Sequence, residues 1–454
     1  MIMKSLVRFG AISNSVCFKY LVIVNRLMTG IVRTALIGVI IIPALVGCAS
    51  FEEQPYKDYK SRAKSQVDGD VRVWSSVLSD DESRDVYGVP LAKNGIQPVW
   101  VRVENGDDAA YWLMPIGLDP NFFPPSEAVE AFARQYKSSE LKKLDDRFEA
   151  LAFRNPIPPG RTVSGFVLVN RDEGVKMVHL DLIGSDRYKS FSTMTIIPGF
   201  RSDYQARKVF TQRTYGEDEI TDFTDDGAFR AALEALPCCA TGKDGSRKAD
   251  PLNLVIIGGV EDAFPALVRR GWRPTEQTYA GSVMKMIDSA LSGDRYPYAP
   301  VSPLYLYGRP QDLALQKARD NIHQRNHLRL WLSPMQYHGK PVWVGQISRD
   351  IGTRLTIHSL YLTTHKIDPD VDEARTALME DMAYSESLLK LGLVNGVGPA
   401  SKENPRKNLT TDPYYTDGFR GVLLFDIHPT AIDDITFFPW EGREAGFIEQ
   451  TVGR

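Results

Sequence analysis

The sequence predicts a mixed α+β protein in which an all-β module precedes a module of mixed helices and strands. In the first half, short segments rich in β-branched and aromatic residues and bounded by turn formers predict strands, among them Val71–Trp74, Val99–Val103 and Gly165–Val169. From about residue 210 onward, strand and helix patterns alternate. A hydrophobic content of 43% and an aromatic content of 10% indicate that the chain folds around a core.

The N-terminal segment has the pattern of a bacterial lipoprotein signal. Arg33 precedes the uncharged stretch Thr34–Gly47, which ends in Leu-Val-Gly directly before Cys48. This stretch is too short to span a bilayer, which takes about 20 residues. The resemblance to lipoprotein signals implies a signal peptide over 1–47, cleavage before Cys48, and acylation of that cysteine with chains such as palmitate. Because a start at Met28 gives a compact signal, we expect Met28 to be the true start.

The same segment predicts where the protein works. Ala49 and Ser50 follow Cys48, with no Asp at the second mature position, and this resemblance implies sorting to the outer membrane of the bacterial cell envelope. Cleavage would remove five basic residues and no acidic ones, which leaves 49 basic and 57 acidic residues and a formal charge of −8. An acidic chain argues against a nucleic-acid partner, because such binding depends on clustered Lys and Arg. The expected membrane contact is therefore the N-terminal lipid.

The mature chain divides into a tether and two modules. Residues 48–66 are polar and charged and read as the tether. Residues 67–203 predict an immunoglobulin-like β-sandwich, to which the alternating segment Met177–Leu182 adds a strand. A charged helical insertion is predicted from Pro124 to about Phe153.

Residues 204–454 predict a mixed α/β module whose sheet is covered by helices on one face. Leu252–Ile257 has the pattern of a buried strand, and Gln311–His323 is predicted to be a helix. Two carboxylates, Glu261 and Asp262, follow Gly258 and Gly259 after one intervening residue. These charges would repel phosphate, so the glycine pair does not predict a nucleotide loop.

Three segments of this module alternate polar and apolar residues and are predicted to pair: Leu304–Arg309, His327–Leu332 and Val342–Asp350. One face of the resulting sheet would be apolar, and the other would carry Tyr, Arg, His and Trp. We expect this second face to bind a ligand through Tyr305, Tyr307, Arg309, Arg329 and Trp331. The alternative is an ordinary solvated face of a half-buried sheet.

Acid–base or metal chemistry has four candidate residues, His327, His365, Asp368 and Asp372. His327, His365 and Asp368 could together bind a divalent metal, and no other cofactor is evident. Helix capping is the alternative. Asp368 is a predicted N-cap with Pro369 as the first helical residue, and Asp372 is placed to pair with Arg375.

The cysteines support two interpretations. Cys48 is expected to be lipidated, which leaves the neighbours Cys238 and Cys239 as either a vicinal disulfide or two free thiols. The chain has no C-x-x-C pair, so a thiolate zinc site has little support.

Several linked motifs of the second module resemble the LssY C-terminal domain family, over roughly residues 210–425. These are Asp250–Val255, Ser302–Arg309 with Gln311 and Asp312, His327–Trp331, Val342–Gly345, Thr364–Asp368 with Asp372 and Arg375, and Thr416–Gly418. In some relatives the module follows membrane segments, which implies work at the bacterial envelope. The resemblance implies no particular activity.

Two functional hypotheses follow. The first is a lipid-anchored envelope protein that binds an envelope ligand or protein partner without turnover. The second is an envelope hydrolase acting on a phosphate- or glycan-containing substrate, with His327 and His365 as acid, base or metal ligands. In that case Arg309 and Arg329 would hold an anion.

Overall fold

The computed structural model describes residues 58–197, 214–277, 282, 298–318, 325–355 and 363–443. The predicted signal peptide, Cys48 and the first part of the tether lie outside this range, as do the side chains of 318, 353–355, 363–365 and 442–443. Among the described residues, no helix is long and apolar enough to cross a membrane. The fold is mixed α+β, and all of the described residues belong to one compact unit.

Two antiparallel sheets packed face to face form the N-terminal module. The first has the order β1-β2-β3-β5 and the second the order β4-β6-β7. Aliphatic residues of both sheets meet in one core, with Val73, Val101 and Val167 from the first sheet and Leu180 and Leu182 from the second. The strands are β1 (Lys64–Asp68), β2 (Val71–Val77), β3 (Ile96–Asn105), β4 (Trp112–Met114), β5 (Arg161–Asn170), β6 (Val175–Gly184) and β7 (Arg187–Ile196).

The outer face of the first sheet is covered by helices. Aromatic residues of the sheet, Trp100 and Phe166, share a second core with Tyr87, Phe132 and Phe148. The predicted insertion is therefore a packing layer, and its helical part is divided in two. The helices of the whole module are α1 (Asp80–Tyr87), α2 (Pro115–Leu118), α3 (Pro125–Glu130) and α4 (Ser138–Leu151), of which α2 packs against β6 of the second sheet.

A ten-stranded mixed sheet organises the second module. Its order is β12-β15-β16-β17-β11-β22-β19-β23, with β18 paired to β17 and β8 paired to β16. The strands are β8 (Thr221–Phe223), β11 (Leu254–Ile257), β12 (Arg273–Pro274), β15 (Leu313–Ala318), β16 (Arg325–Tyr337), β17 (Lys340–Leu355), β18 (Thr363–Ile367), β19 (Leu388–Asn395), β22 (Phe419–Phe425) and β23 (Thr436–Phe437). Two smaller sheets contain β9 (Cys239–Thr241), β10 (Lys248–Pro251), β13 (Tyr305–Leu306) and β14 (Arg309–Pro310), and β20 (Arg406–Lys407) with β21 (Pro413–Tyr414).

Helices cover this sheet on both faces, not on one as the sequence predicted. Side chains of β11 alternate between two cores. Leu254 and Ile256 pack with residues of α6 (Ala263–Arg269) and α7 (Val371–Ala383), whereas Val255 and Ile257 pack with α5 (Asp226–Glu234). The continuous apolar run of β11 is the signature of a strand buried on both faces.

Two local predictions were wrong. Gln311–His323 was predicted to be a helix, but Leu313–Ala318 is the strand β15, because Leu313 and Leu315 enter the core and the backbone pairs with β16. Leu304–Arg309 was predicted to be one strand, but it folds back on itself as the β13–β14 hairpin. Its turn residues Tyr307 and Gly308 have φ of 53° and 71°, the pair of positive values that a tight hairpin turn needs.

Candidate functional site

Polar and charged side chains line one face of the β15–β16–β17 region, and nearly all of their surface is buried. In the register of these strands, Arg329 stands opposite Gln346, and His327 stands between Gln316 and Ser348. We call this set the polar face, and each member is 7% exposed or less. Its members are Gln316 of β15, Arg325, His327 and Arg329 of β16, and Gln346, Ser348 and Asp350 of β17. The opposite face of the same strands, with Leu328, Leu330 and Ile347, belongs to the apolar core.

One end of the polar face is organised around Asp350. Its Oδ2 lies 3.0 Å from His327 Nε2 and 3.5 Å from Arg325 Nε. Arg325 also donates from Nη1 to Gln316 Oε1 at 2.8 Å. This end therefore contains a buried carboxylate shared by an imidazole and a guanidinium.

The other end contains Arg329 and Gln346. Arg329 Nη1 donates to Gln346 Oε1 at 2.6 Å, and Arg329 Nε and Nη2 both donate to the Ser302 carbonyl, at 3.2 and 3.1 Å. Both acceptor atoms are uncharged. Among the described residues, no carboxylate forms an ion pair with Arg329, and Gln346 Nε2 has no hydrogen-bond partner.

Asp250 of β10 stands near this second end. Asn408 Nδ2 donates to its Oδ1 at 2.8 Å, and Thr410 Oγ1 donates to Asp412 Oδ2 at 2.9 Å. Asp250 is close enough to Arg329 for their charges to interact, but the two do not form an ion pair. The loop 408–412 thus borders the polar face.

Burial dominates the electrostatics of these groups. It lowers the pKa of His327 to about 4; the charges of Arg325 and Arg329 also lower it, and Asp350 opposes them. Burial likewise raises the pKa of Asp250, with Arg329 opposing the shift. At neutral pH the imidazole is therefore neutral, with one ring nitrogen that carries a proton and one that accepts.

The part of the chain that contains these residues matches a known family. Residues 232–419 match the family described as LssY C-terminus. This segment is an LssY C-terminal domain. The whole polar face, Asp250 and the loop 408–412 lie inside the matched segment. No curated protein and no solved structure matches the chain.

The aromatic candidates of the LssY domain are not grouped on the polar face. Trp331 lies on the same face of β16 but is fully buried in an apolar cluster with Leu304, Leu306 and Val344. Tyr307 is at the tip of the β13–β14 hairpin and is 38% exposed, and Tyr305 is half-buried in β13. Trp331 is thus a core residue.

Arg309 is already fully engaged within the domain. Its Nε and Nη2 donate to the two carboxylate oxygens of Asp312 at 3.0 and 2.8 Å. Nη1 donates to the Tyr215 hydroxyl at 2.9 Å, and Nη2 also donates to the Leu332 carbonyl at 2.7 Å. A bidentate pair of this kind fixes the hairpin to β16, so Arg309 is unsuited to holding an anion.

The predicted capping arrangement is shifted by two residues. The helix α7 begins at Val371, and its N-cap is Asp370, whose side chain accepts from the Asp372 amide. Asp368 was predicted to be the N-cap, but it accepts from the Asp370 amide before the helix. The segment stays extended because Asp370 forms a β-bridge with Tyr415.

Asp372 has a structural environment. It accepts from Thr416 Oγ1 at 2.8 Å and from the Asp417 amide at 2.6 Å, and it pairs with Arg375 at 3.3 Å as the spacing predicted. Burial raises its pKa, and Arg375 opposes that shift. These contacts join α7 to the segment before β22.

The two histidine candidates occupy different parts of the sheet. The backbone of His365 lies in β18 opposite Thr353, whereas His327 lies in β16 opposite Ser348, five positions away along β17. The side chain of His365 is outside the described range. Within the described residues, no group of three His, Cys, Asp or Glu side chains is arranged to hold a metal ion.

The cysteine pair is joined in the structure. A disulfide links Cys238 to Cys239, and Cys239 Sγ lies 3.9 Å from the Tyr414 hydroxyl. Cys239 pairs with Pro251 in the β9–β10 ladder, directly after Asp250 in β10. The disulfide is therefore a neighbour of the loop that borders the polar face.

Sequence reasoning missed Arg325, Gln316 and Asp250. Arg325 continues the alternation of His327 and Arg329 by one step toward the N-terminus, so extending the period-two pattern backwards would have found it. Gln316 was hidden by the helix prediction for Gln311–His323. Asp250 comes from another sheet, and no local pattern connects it to β16.

Proposed function

We propose that the protein is a lipid-anchored component of the bacterial cell envelope whose LssY domain binds a polar envelope ligand at the polar face. Binding without turnover is the favoured reading. The immunoglobulin-like character of the N-terminal module is part of the proposal, and it is supported by two antiparallel sheets that share one core.

One observation carries the binding proposal. Seven polar or charged side chains are buried together on one face of the central sheet, and one of them, Gln346, has a donor without a partner among the described residues. Burying a polar group without a partner costs desolvation free energy. Well-packed apolar residues at the same positions would avoid that cost. Perturbed, buried titratable groups cluster at functional sites, which supports a ligand there.

Isolation of a bound ligand tests this proposal. The mature chain, purified in detergent from its own membranes, should retain a molecule that native mass spectrometry detects and that denaturation releases. The Gln346→Leu variant should lose that molecule, because it removes the donor while keeping the volume. The Arg349→Leu variant is the matched control, since Arg349 lies on the opposite face of the same strand. Equal retention by both variants would contradict the proposal.

Hydrolysis is the second candidate, and the geometry of His327 and Asp350 is the observation that favours it. A neutral imidazole 3.0 Å from a buried carboxylate is the usual arrangement of a general base. Release of phosphate or of a reducing sugar from envelope material should then require His327. Loss of that release in His327→Asn, with the bound ligand still retained, would favour hydrolysis over binding alone.

The anchor is tested separately. The pattern before Cys48 supports cleavage there and acylation of the new N-terminus. Mass spectrometry of the mature N-terminal peptide should find a diacyl- or triacyl-cysteine. Cys48→Ser should leave the leader attached, and fractionation should place the wild type in the outer membrane. An unmodified Cys48 in mature protein would refute the anchor.

A further inference from the structure

We propose that the ligand carries an oxyanion, a phosphate or a carboxylate, which binds between Arg329 and the side-chain amide of Gln346. This inference rests on the proposed binding function and specifies the chemistry of its ligand. It gives the two ends of the polar face different roles: Asp350 joins His327 and Arg325 at one end, and Arg329 and Gln346 receive the anion at the other.

The state of Arg329 is the first argument. Arg329 is 7% exposed, and the three hydrogen bonds of its guanidinium go to a carbonyl and an amide oxygen. Within the described part of the chain it makes no ion pair, in contrast to Arg309 and Arg375, which each form a bidentate pair with an aspartate. Asp250 is near enough to interact with its charge but forms no ion pair with it. A buried cation that forms no ion pair is costly, and a bound anion would offset that cost.

Gln346 supplies the second, independent argument. Its Oε1 accepts from Arg329 Nη1 at 2.6 Å, and this fixes which end of the amide is the donor. The Nε2 group is then a buried donor, and no acceptor among the described residues satisfies it. The amide needs an acceptor, and the neighbouring guanidinium favours one that carries negative charge. Arg and an amide N–H together form a charge-assisted donor pair suited to an oxyanion.

Two neighbouring features bear on access and on selectivity. Ser302, whose carbonyl holds Arg329, is exposed, so the guanidinium ends directly beneath the surface. Asp250 stands on the other side, held by Asn408, and burial raises its pKa. A carboxyl group at this position can donate a hydrogen bond to a ligand hydroxyl or accept one from it. This suits a ligand that carries hydroxyl groups as well as the oxyanion.

Calorimetric titration of the mature chain tests the inference with three probes at constant ionic strength: inorganic phosphate, glucuronate and neutral glucose. We expect wild type to bind phosphate or glucuronate more tightly than glucose. The anion that binds more tightly shows whether the ligand's oxyanion is a phosphate or a carboxylate. In Gln346→Glu the new carboxylate would still accept from Arg329, but it would neutralise the cation and remove the amide donor. Anion affinity should fall at least tenfold.

Two further variants secure the result. Arg329→Lys keeps the charge but loses the fork geometry, and it should also weaken anion binding if Gln346→Glu does not fold. Arg349→Gln, on the opposite face of β17, should leave anion affinity unchanged. Unchanged affinity in both site variants would overturn the assignment to Arg329 and Gln346.

The failure of this inference is distinguishable from failure of the proposed function. Binding of glucose alone, or a co-purified ligand with no acidic group, would refute the oxyanion and leave the binding function intact. Absence of any co-purified ligand together with no binding of all three probes would refute both.

Discussion

At the scale of single residues, the fold contains buried arginines of two kinds. Arg420 is fully buried and donates to the backbone carbonyls of Leu252, Leu233, Leu236, Pro237 and Gly396. Burial lowers the pKa of Arg420 to about 10. Its Nε, Nη1 and Nη2 groups all donate to these backbone carbonyls, so this arginine serves the fold. Among the described residues Arg329 donates to two acceptor atoms, and the Nε2 of its neighbour Gln346 has no partner, which is why we assign Arg329 to a ligand.

Replacement of Arg420 by Met should be among the most destabilising single changes in the second module. It would leave several buried carbonyls without donors, and each costs about 1–3 kcal/mol. We expect the free energy of unfolding, measured by urea denaturation, to fall by about 3 kcal/mol or more. Arg349→Met, at a half-buried arginine, should change it by less than about 1 kcal/mol. Similar losses in the two variants would contradict this account of Arg420.

His327 should make stability depend on pH. Its pKa is about 4 in the folded chain, against an ordinary value of 6.5, so between pH 6.5 and 4 the unfolded chain binds a proton that the folded chain does not. Stability should therefore fall as the pH falls from about 6.5 to about 4, by roughly 3 kcal/mol in all. Urea unfolding of wild type and His327→Asn across this range measures the effect as the difference between their free energies of unfolding. The titration of Asp250 contributes to both proteins and drops out of this difference.

The matched control for this prediction is His428→Asn. His428 is exposed, and its ring lies 3.4 Å from Asp426. Its removal should leave the pH dependence between 4 and 6.5 close to that of the wild type. If His327→Asn retains the full slope, the buried neutral imidazole is not its cause.

At the scale of secondary-structure elements, α7 shows how tertiary contacts choose a helix start. Both Asp368 and Asp370 are good capping residues, and Pro369 between them fits the first helical turn. The bridge from Asp370 to Tyr415 and the bond from the Tyr415 amide to the Pro369 carbonyl keep the chain extended through 370. The helix therefore begins two residues later than the sequence predicted.

Alanine substitutions separate the two aspartates. Asp370→Ala should lower the free energy of unfolding by about 1 kcal/mol, because it removes the N-cap acceptor at the positive end of the helix dipole. Asp368→Ala should cost less, because its carboxylate accepts only from the amide before the helix. Urea denaturation of both variants measures the difference. A larger loss for Asp368→Ala would place the cap where the sequence first suggested.

The strands that could be predicted are those whose pattern is set by one buried face. Val71–Trp74, Val99–Val103 and Met177–Leu182 all lie inside observed strands, and the predicted run Leu252–Ile257 contains β11, which begins at Leu254. Gln311–His323 failed because Gln316 of β15 is buried beside Arg325 and His327 instead of facing solvent, and Lys317 pairs with Asp381, so the segment lacks the usual strand alternation. The alternating pattern of β16 and β17 also predicted that this face would present aromatic residues to a ligand. Trp331 lies instead in the apolar core.

At the scale of the whole molecule, the two modules share packing and polar contacts. Met177 of β6 belongs to the core beneath α6 and α7, and Met194 of β7 packs against it. Arg269 of α6 reaches His179 of β6 at 3.5 Å. The Tyr298 hydroxyl donates to Asp172 and accepts from the Glu173 amide. Sequence patterns gave no sign of this junction, because each of its residues reads as an ordinary member of its own strand or loop.

Since apolar core residues cross the junction, we expect both modules to unfold in one cooperative transition. Tryptophan fluorescence and far-UV circular dichroism should give coincident urea curves for the mature chain. Tyr298→Phe removes the hydroxyl that bridges Asp172 and Glu173 and should lower the free energy of unfolding by about 1–2 kcal/mol while the curves stay coincident. Tyr384→Phe, at a residue that is 66% exposed, should change neither. Two separated transitions in the wild type would show instead that Met177, Met194 and Arg269 contribute little to the coupling between the two modules. The stability of the polar face would then depend on the LssY domain alone.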